Sequence, residues 1–116
     1  MQAFTTLNLE NYRIGHQGAQ HIGDVLRINT MLTELQLGFN QIGDEGAQHI
    51  GDALRANTAL TTLHLQYNYI GDQGTLHIAE GLRTNTVLTV LYLSNNHIGD
   101  QGAQHLRNCL GNRVKC

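Results

Sequence analysis

The sequence repeats itself every 28 residues, without insertion or deletion, along almost its whole length. One column of this repeat holds only leucine, and other columns keep leucine, isoleucine or glycine at the same step. The period indicates a tandem-repeat fold in which each unit stacks on its neighbours. We predict a single domain of four units, over residues 4–31, 32–59, 60–87 and 88–115. The leucine column that sets this register comprises Leu7, Leu35, Leu63 and Leu91.

Each unit divides into two halves with different hydrophobic periods. The first half, for example Leu32-Thr-Glu-Leu35-Gln-Leu37, ends in alternating apolar residues, which is typical of a short strand with one buried face. The second half places Ala47, Ile50 and Leu54 on one stripe of a helix. Strands that are joined by helices run parallel, and such crossovers are right-handed as a rule. Because helices are wider than strands, a stack of such units curves with its strands on the inside. We therefore predict an α/β solenoid, a horseshoe segment with its parallel sheet on the concave face.

The segment between strand and helix should contain a tight turn and a helix cap. Gly43 supplies the backbone freedom that the turn needs. We interpret Asp44 as the N-cap of the helix that follows it. At the other end of that helix, we expect Asn57 to adopt a left-handed exit conformation.

Two segments carry a recognisable pattern: LTELQLGFNQIGDEGAQHIGDALRANTALTTL and LHLQYNYIGDQGTLHIAEGLRTNTVLTVL. In their L-x-x-L-x-L-x-x-N-x-I spacing they resemble ribonuclease-inhibitor-type leucine-rich repeats, and most closely those of NOD-like receptors. The resemblance covers nearly the whole chain. It implies that Asn40, Asn68 and Asn96 are structural residues, with buried side chains that bond neighbouring backbone. It is specific for the fold and not for function, because one fold hosts many functions.

The first and last units depart from the pattern. Tyr12 stands in the column of the turn asparagines, and His16 stands in the column of Asp44. Terminal units are expected to be atypical because they meet solvent, yet neither end has a recognisable polar capping module. Cys116 falls where a fifth strand would begin. We therefore expect a fragment of a longer array, with a complete small protein or an engineered one as alternatives.

Charge and composition exclude several classes of partner. The net charge is -2, so the chain has no basic field for nucleic acid or for an anionic membrane surface. Only two cysteines occur, Cys109 and Cys116, and no N-x-Ser/Thr sequon is present. Both facts favour a reducing, cytoplasmic setting; the alternative is that this cysteine pair closes a small loop.

A column of four histidines invites a metal assignment. One histidine per helix, with helices about 8–10 Å apart, converges poorly on an ion whose ligands lie about 2.0–2.1 Å away. We therefore interpret the column as packing residues and predict no metal and no cofactor. No nucleophile–base set or phosphate-binding loop occurs either, so we predict that the protein is not an enzyme. The histidines concerned are His21, His49, His77 and His105.

The strand residues between the buried leucines should point into the concavity, where solenoids usually bind. Four of the six aromatic residues fall on or beside this face. Scattered exposed aromatics are normal, but aromatics also dominate the hot spots of interfaces. We predict that a protein or peptide binds here, on Glu34, Gln36, Phe39, His64, Gln66, Tyr67, Tyr69, Tyr92 and Asn95.

Two other functions stay open. The apolar end strands, residues 4–9 and 88–93, lack the lysine or proline that blunts strand pairing, so two copies could pair through their uncapped ends as a two-fold dimer. Joining the first strand of one copy to the last strand of another would instead extend the array or close a ring. The repeat type also occurs in a GTPase-activating protein, which would imply regulation of a GTPase in trans. The loops that would have to act are mostly neutral, so this alternative is the least favoured; they contain Arg13, Gln41, Tyr69 and His97.

Overall fold

A computed structural model describes the backbone of residues 5–110 and the side chains of residues 5–108. Four strands form one parallel sheet in chain order, and each strand is followed by a helix. This confirms the predicted α/β leucine-rich-repeat solenoid. The predictions for Phe4, Cys116 and the Cys109 side chain lie outside the described part. The elements are β1 (Thr6–Asn8), α1 (Gly15–Ile28), β2 (Glu34–Gln36), α2 (Gly43–Ala56), β3 (Thr62–His64), α3 (Asp72–Thr84), β4 (Val90–Tyr92) and α4 (Asp100–Leu110).

The core is one continuous layer between the sheet and the helices. Each strand residue pairs with the residue 28 positions further along, as Leu35 does with Leu63. These central leucines are fully buried, and so are Ile50 and Leu54 on the inner stripe of α2. Burial of such side chains contributes about 1.5–3 kcal/mol each. Because the same columns continue through successive units, every unit packs against the next one.

Helices α2 and α3 lie unusually close to each other. A methyl group added at Gly81 would overlap the carbonyl oxygen of Gly51, and one added at Gly51 would overlap that of His77. The two glycines therefore allow the backbones to approach more closely than side chains would permit. This contact sets the spacing of the two central units, which carry most of the candidate site described below.

The turn asparagines form a ladder along one edge of the sheet. Asn68 is fully buried, and its amide nitrogen donates to the carbonyl oxygen of Leu37 at 2.9 Å and to that of Gln66 at 3.2 Å. Its side-chain oxygen accepts the backbone N–H of Asn40 at 2.9 Å. Asn96 repeats the arrangement one unit later, and accepts the N–H of Asn68 at 2.8 Å. The ladder thus bonds backbone groups across neighbouring units.

A second asparagine ladder lies where the helices end. Asn57 leaves α2 in an extended conformation, with φ -76° and ψ 134°, so the prediction of a left-handed exit is wrong. Its side chain bonds the backbone instead. The amide nitrogen donates to the carbonyl oxygen of Leu26 at 2.8 Å, and the side-chain oxygen accepts the N–H of Leu60 at 2.8 Å. Asn85 does the same one unit later, where its amide nitrogen donates to Leu54 at 2.8 Å.

The prediction that Asp44 caps its own helix is also wrong. Asp44 lies inside the first turn of α2, and no side chain caps that helix. Its carboxylate accepts the backbone N–H groups of Gly71 at 2.6 Å and Gly74 at 3.0 Å, at the start of the next helix. Asp72 makes the same two bonds one unit further on. The reason is geometric, because stacking brings the carboxylate of one unit beside the unbonded N–H groups of the next.

The substitution at His16 changes the first of these junctions. His16 places Nδ1 2.6 Å from a carboxylate oxygen of Glu45 and offers no carboxylate of its own to the next unit. Gly43 consequently donates its N–H to the carbonyl oxygen of Asn68 at 2.8 Å and takes a φ of 69°. Gly71, which has a carboxylate partner, has a φ of -101°. The backbone freedom predicted for Gly43 is therefore used where the carboxylate is missing.

The two ends of the stack differ. At the β1 end, Leu7 is 43% exposed, whereas Leu35 in the same column is 1% exposed. At the β4 end, Leu91 is fully buried and Leu93 is 4% exposed. The central leucine of the end strand is therefore exposed at β1 and buried at β4, whose leucines lie in the core of their own unit.

Candidate functional site

The strands expose one face of the sheet on the side away from the helices. We call the residues on either side of the central leucines the sheet face. In the strand register Glu34 pairs with Thr62, and His64 lies between Gln36 and Tyr92. These side chains are half-buried or exposed, in contrast to the leucines between them. The sheet face is therefore accessible and contains both polar and aromatic groups.

His64 connects three strands on this face. Its Nε2 lies 2.8 Å from a carboxylate oxygen of Glu34 on β2, and the pair is partly buried, with the side chains 19% and 35% exposed. The imidazole also stacks on the ring of Tyr92 on β4, with centroids 4.5 Å apart. Cross-strand pairs of this kind contribute about 0.2–1 kcal/mol each and restrict side-chain rotation. The middle of the sheet face is thus rigid before any partner binds.

Gln66 follows β3 and lies against Gly38 of the preceding unit. A Cβ atom at Gly38 would come within 3.1 Å of the Gln66 side chain, so the glycine leaves room for it. The side-chain oxygen of Gln66 is buried and has no hydrogen-bond donor among the described residues. A buried acceptor without a donor costs about 1–3 kcal/mol. The Gln66 side chain is therefore held beside the sheet face at a cost in stability.

Two pairs of stacked rings lie in the loops that follow the strands. Phe39 and Tyr67 stack with centroids 4.4 Å apart and planes 11° apart. Tyr69 stacks on His97 with a centroid distance of 5.7 Å. The rings stay accessible to solvent, since Phe39 is 46%, Tyr67 45% and Tyr69 60% exposed. In each pair, the two rings come from neighbouring units and occupy the same position of the 28-residue repeat.

These loops hold every described non-glycine residue whose φ is positive. Phe39 and Tyr67 have φ values of 61° and 56°, and the equivalent residues of the outer units are Asn11 and Asn95. Asparagine tolerates this left-handed conformation, whereas residues with bulky side chains are strained in it. The full set is Asn11, Arg13, Phe39, Gln41, Tyr67, Tyr69 and Asn95.

A pocket of about 290 Å³ opens between the two pairs of rings. We call it the loop-edge pocket. Its walls combine aromatic rings with side-chain amides, and none of the described lining residues is an aspartate, glutamate, lysine or arginine. The lining residues are Asn11, Phe39, Gln41, Tyr67, Tyr69, Asn95 and His97.

The nine residues predicted for binding fall into two adjoining groups. The sheet face contains Glu34, Gln36, His64 and Tyr92, with Gln66 at its border. The loop-edge pocket contains the other four: Phe39, Tyr67, Tyr69 and Asn95.

Sequence reasoning missed three residues of the loop-edge pocket as binding residues: Asn11, Gln41 and His97. The repeat itself could have identified them, because each of these three residues lies 28 residues, or a multiple of 28, from a predicted aromatic residue. Residues that share a column in a stacked repeat line the same surface.

The histidine column lies on the helices, away from this site. His49, His77 and His105 are half-buried, and His21 is exposed. The described residues contain no group of three histidine, cysteine, aspartate or glutamate side chains placed to hold a metal ion. Within the same residues, no helix has the length and apolar character required to span a bilayer.

A second groove lies at the β1 end of the stack. It has a volume of about 220 Å³ and is lined almost entirely by apolar side chains. Val25 in its wall is 57% exposed, and Leu7 at its rim is 43% exposed. The groove is lined by Leu7, Leu9, His21, Ile22, Val25, Leu26, Leu32 and Leu35.

A family model described as Leucine Rich repeat matches residues 29–51, 56–79 and 84–106. These three matches together cover more than half of the chain. The chain belongs to the leucine-rich repeat family. The type of repeat within the family stays a prediction. No curated protein matches the chain.

Solved structures of two leucine-rich-repeat-like domains are similar to this chain. Leiomodin-1 actin-binding site 2 superposes with a TM-score of 0.82 at 25% sequence identity, and the match covers 94% of this chain and 65% of that one. The tropomodulin C-terminal domain of Caenorhabditis elegans superposes with a TM-score of 0.58 at 10% identity, over 95% of this chain and 84% of that one. The second likeness shows the fold alone. The chain spans less than two thirds of the leiomodin-1 structure.

Proposed function

We propose that this protein is a binding module that recognises a protein or peptide through the concave sheet face and the loop-edge pocket. One observation carries the proposal. Phe39 and Tyr67 adopt left-handed conformations at positions where the outer units have Asn11 and Asn95. Two bulky residues thus replace the residue type that the conformation prefers.

The stability of the isolated fold does not account for these two aromatics. A left-handed conformation costs an ordinary residue roughly 1–2 kcal/mol, and asparagine less. Stacking of one ring pair returns about 0.5–1.5 kcal/mol. Strain at two residues therefore offsets or exceeds the gain, while nearly half of each side chain stays in water. A partner that covers the rings supplies the missing stabilisation, and strained residues cluster at binding sites for this reason.

The leiomodin-1 structure supports a protein partner, because it is the structure of an actin-binding site. Actin is therefore the first partner to test with this chain. The net charge of -2 supports a partner other than nucleic acid. The contents of the site also favour binding over catalysis, since its only ion pair among described residues, Glu34 with His64, has no nucleophile bonded to it.

The experiment uses a double variant, Phe39→Asn with Tyr67→Asn, which restores the residue of the outer units at both positions. Monomeric actin, filamentous actin and peptides selected from a random display library serve as probes, with affinity measured by calorimetry. Loss of one hot-spot ring costs about 2 kcal/mol, which is about a 30-fold weaker affinity. We expect at least this loss, with an unfolding free energy within about 1 kcal/mol of wild type.

Leu76→Gln is the matched control. Leu76 lies on α3, away from the sheet face, and the other units have glutamine in its column. Its affinity should stay within about twofold of wild type, as for residues outside an interface. Equal affinity of the double variant and wild type would reject the site. Failure of every probe to bind wild type would reject the function.

The finer assignments rest on the sequence. We propose that the units span residues 4–31, 32–59, 60–87 and 88–115, that the repeats are of the ribonuclease-inhibitor type, and that the protein acts in the cytoplasm. The small number of cysteines and the lack of glycosylation sequons support the cytoplasmic setting. Regulation of a GTPase has the least support, since Arg13 is the one arginine in the loops described above.

Self-association is a second candidate function, and the open β1 end favours it. An apolar groove of about 220 Å³ with exposed Leu7 and Val25 offers apolar surface that a second copy would cover about a two-fold axis. Light scattering with size-exclusion chromatography at about 100 μM, well above ordinary interface dissociation constants, should give a dimer mass for wild type. Val25→Glu should give a monomer. A monomer mass for wild type contradicts this candidate.

A further inference from the structure

We infer that the loop-edge pocket binds a guanidinium group, the side chain of an arginine on the partner protein. This inference rests on the proposed function and names the chemistry that the pocket recognises. Three properties of the pocket lead to it: ring faces without a neighbour, side-chain amides at the ends of the ring stacks, and the distribution of charge.

The stacked rings end on open faces. Along their column the residues are Asn11, Phe39, Tyr67 and Asn95, so a short side chain follows the ring pair at each end. In the neighbouring column Gln41 precedes Tyr69, and no ring covers that face of Tyr69 from this side. A planar group from a partner can continue either stack at the usual spacing of rings. Planarity is therefore the first requirement on the ligand.

The polar groups around the rings favour a donor. Asn11, Gln41 and Asn95 line the pocket with side-chain amides, whose oxygens accept hydrogen bonds. A guanidinium group has five N–H donors and no acceptor. A neutral aromatic ring or a proline ring would satisfy the stacking but leave these oxygens without a new partner.

The pocket does not repel a cation, because none of the described residues that line it is a lysine or an arginine. Arg13, the cation nearest in sequence, is not part of the lining. The faces of aromatic rings attract cations, and arginine does so more often than lysine. Its flat, weakly hydrated guanidinium stacks on rings, whereas the ammonium of lysine is a strongly hydrated point charge.

The probe is the capped pentapeptide Gly-Ser-Arg-Ser-Gly, titrated into isotope-labelled protein and followed by NMR. Three counterparts carry citrulline, lysine or phenylalanine in place of arginine. Citrulline keeps the flat shape but loses the charge and replaces a donor with a carbonyl acceptor, so it tests the charge and the donors together. Loss of the cation–π contribution alone corresponds to about two- to fivefold in affinity. We expect the arginine peptide to bind most tightly and to shift the signals of Phe39, Tyr67 and Tyr69.

Matched variants locate the effect. Tyr69→Gln places the residue of the preceding unit in its column and should reduce arginine-peptide affinity at least threefold, because one open ring face is lost. Leu76→Gln on α3 should leave it unchanged. Equal affinities for arginine and citrulline peptides would overturn the inference, and so would equal affinities for arginine and lysine.

An arginine peptide that shifts no signal of the loop-edge pocket would also overturn the inference. That failure is distinguishable from failure of the proposed function. The Phe39→Asn, Tyr67→Asn double variant is tested on whole partners, and its loss of affinity does not require that the partner presents arginine.

Discussion

Replacing Asn68 with alanine removes four hydrogen bonds from the middle of the stack. The amide nitrogen of Asn68 donates to the carbonyl oxygens of Leu37 and Gln66, and the side-chain oxygen accepts the N–H groups of Asn40 and Ile42. All four backbone groups lie in a region from which water is largely excluded. Loss of stability therefore depends on how many of them find another partner.

The two carbonyl oxygens keep a donor and the two N–H groups do not. Leu37 still accepts from the Asn40 side chain at 3.0 Å, and Gln66 still accepts the N–H of Phe39 at 3.0 Å. The N–H groups of Asn40 and Ile42 lose the side-chain acceptor described here. At about 1–3 kcal/mol for each unpaired buried group, the loss is about 2–6 kcal/mol. The Ile42 bond is long, at 3.3 Å, so we expect about 3–4 kcal/mol.

Urea unfolding followed by circular dichroism measures this loss, and Asn40→Ala is its internal control. The side-chain oxygen of Asn40 accepts the N–H groups of Tyr12 at 2.8 Å and Ile14 at 3.4 Å. Tyr12 is 68% exposed, so water can replace the bond to its N–H, and we expect a loss of only about 1–2 kcal/mol. A loss below about 1 kcal/mol for Asn68→Ala, or equal losses for the two variants, would refute the reasoning.

Two further predictions concern contacts between neighbouring helices, and thermal melts measure both. Asp44→Ala should destabilise the protein by about 1 kcal/mol, because two N–H groups of the next unit lose their cap. His16→Asp should stabilise it by a similar amount, because the new carboxylate supplies that cap to α2. No change in either variant would contradict the cap between units. Gly81→Ala should destabilise the protein by about 1–3 kcal/mol, because the added methyl overlaps Gly51. The effect should exceed that of Gly23→Ala, whose methyl lies 3.0 Å from a carbonyl oxygen. Equal melting temperatures of the two variants would contradict the close approach of α2 and α3.

The fold was predictable because its signals recur. The central leucine column occurs four times, and the turn asparagine three times, so one atypical residue does not hide the period. Tyr12 breaks the asparagine column of the first unit, yet α1 still forms and β1 still pairs with β2 in register. A pattern supported by several equivalent positions outweighs a single exception.

The capping predictions failed because the relevant bonds connect different units. Rules for helix caps describe one helix and its flanking residues. Asp44 instead bonds Gly71 and Gly74, which are 27 and 30 residues away. Asn57 bonds Leu26, 31 residues earlier in the chain. A local reading cannot find such partners, although the 28-residue period shows which residues become neighbours once the units stack.

The region of the candidate site was predictable from its aromatic columns, and its internal geometry was not. The pairing of His64 with Glu34 and the stacking of Tyr69 on His97 depend on side-chain rotamers that a column pattern leaves open. The unpaired oxygen of Gln66 depends on packing against Gly38. These contacts require coordinates, because several rotamers are compatible with the same sequence.

The position of an atypical residue within the array indicates why that residue departs from its column. Tyr12 and His16 are exceptions in the first unit, where both side chains are exposed and the described residues include no preceding unit for these columns to bond. Phe39 and Tyr67 occupy the two central units, which have a neighbour on both sides, so an end effect does not explain them. Their backbone is strained and their rings are exposed, so packing does not explain them either. An interaction outside the chain is the remaining physical reason, and for this reason we propose that a partner binds at these two units.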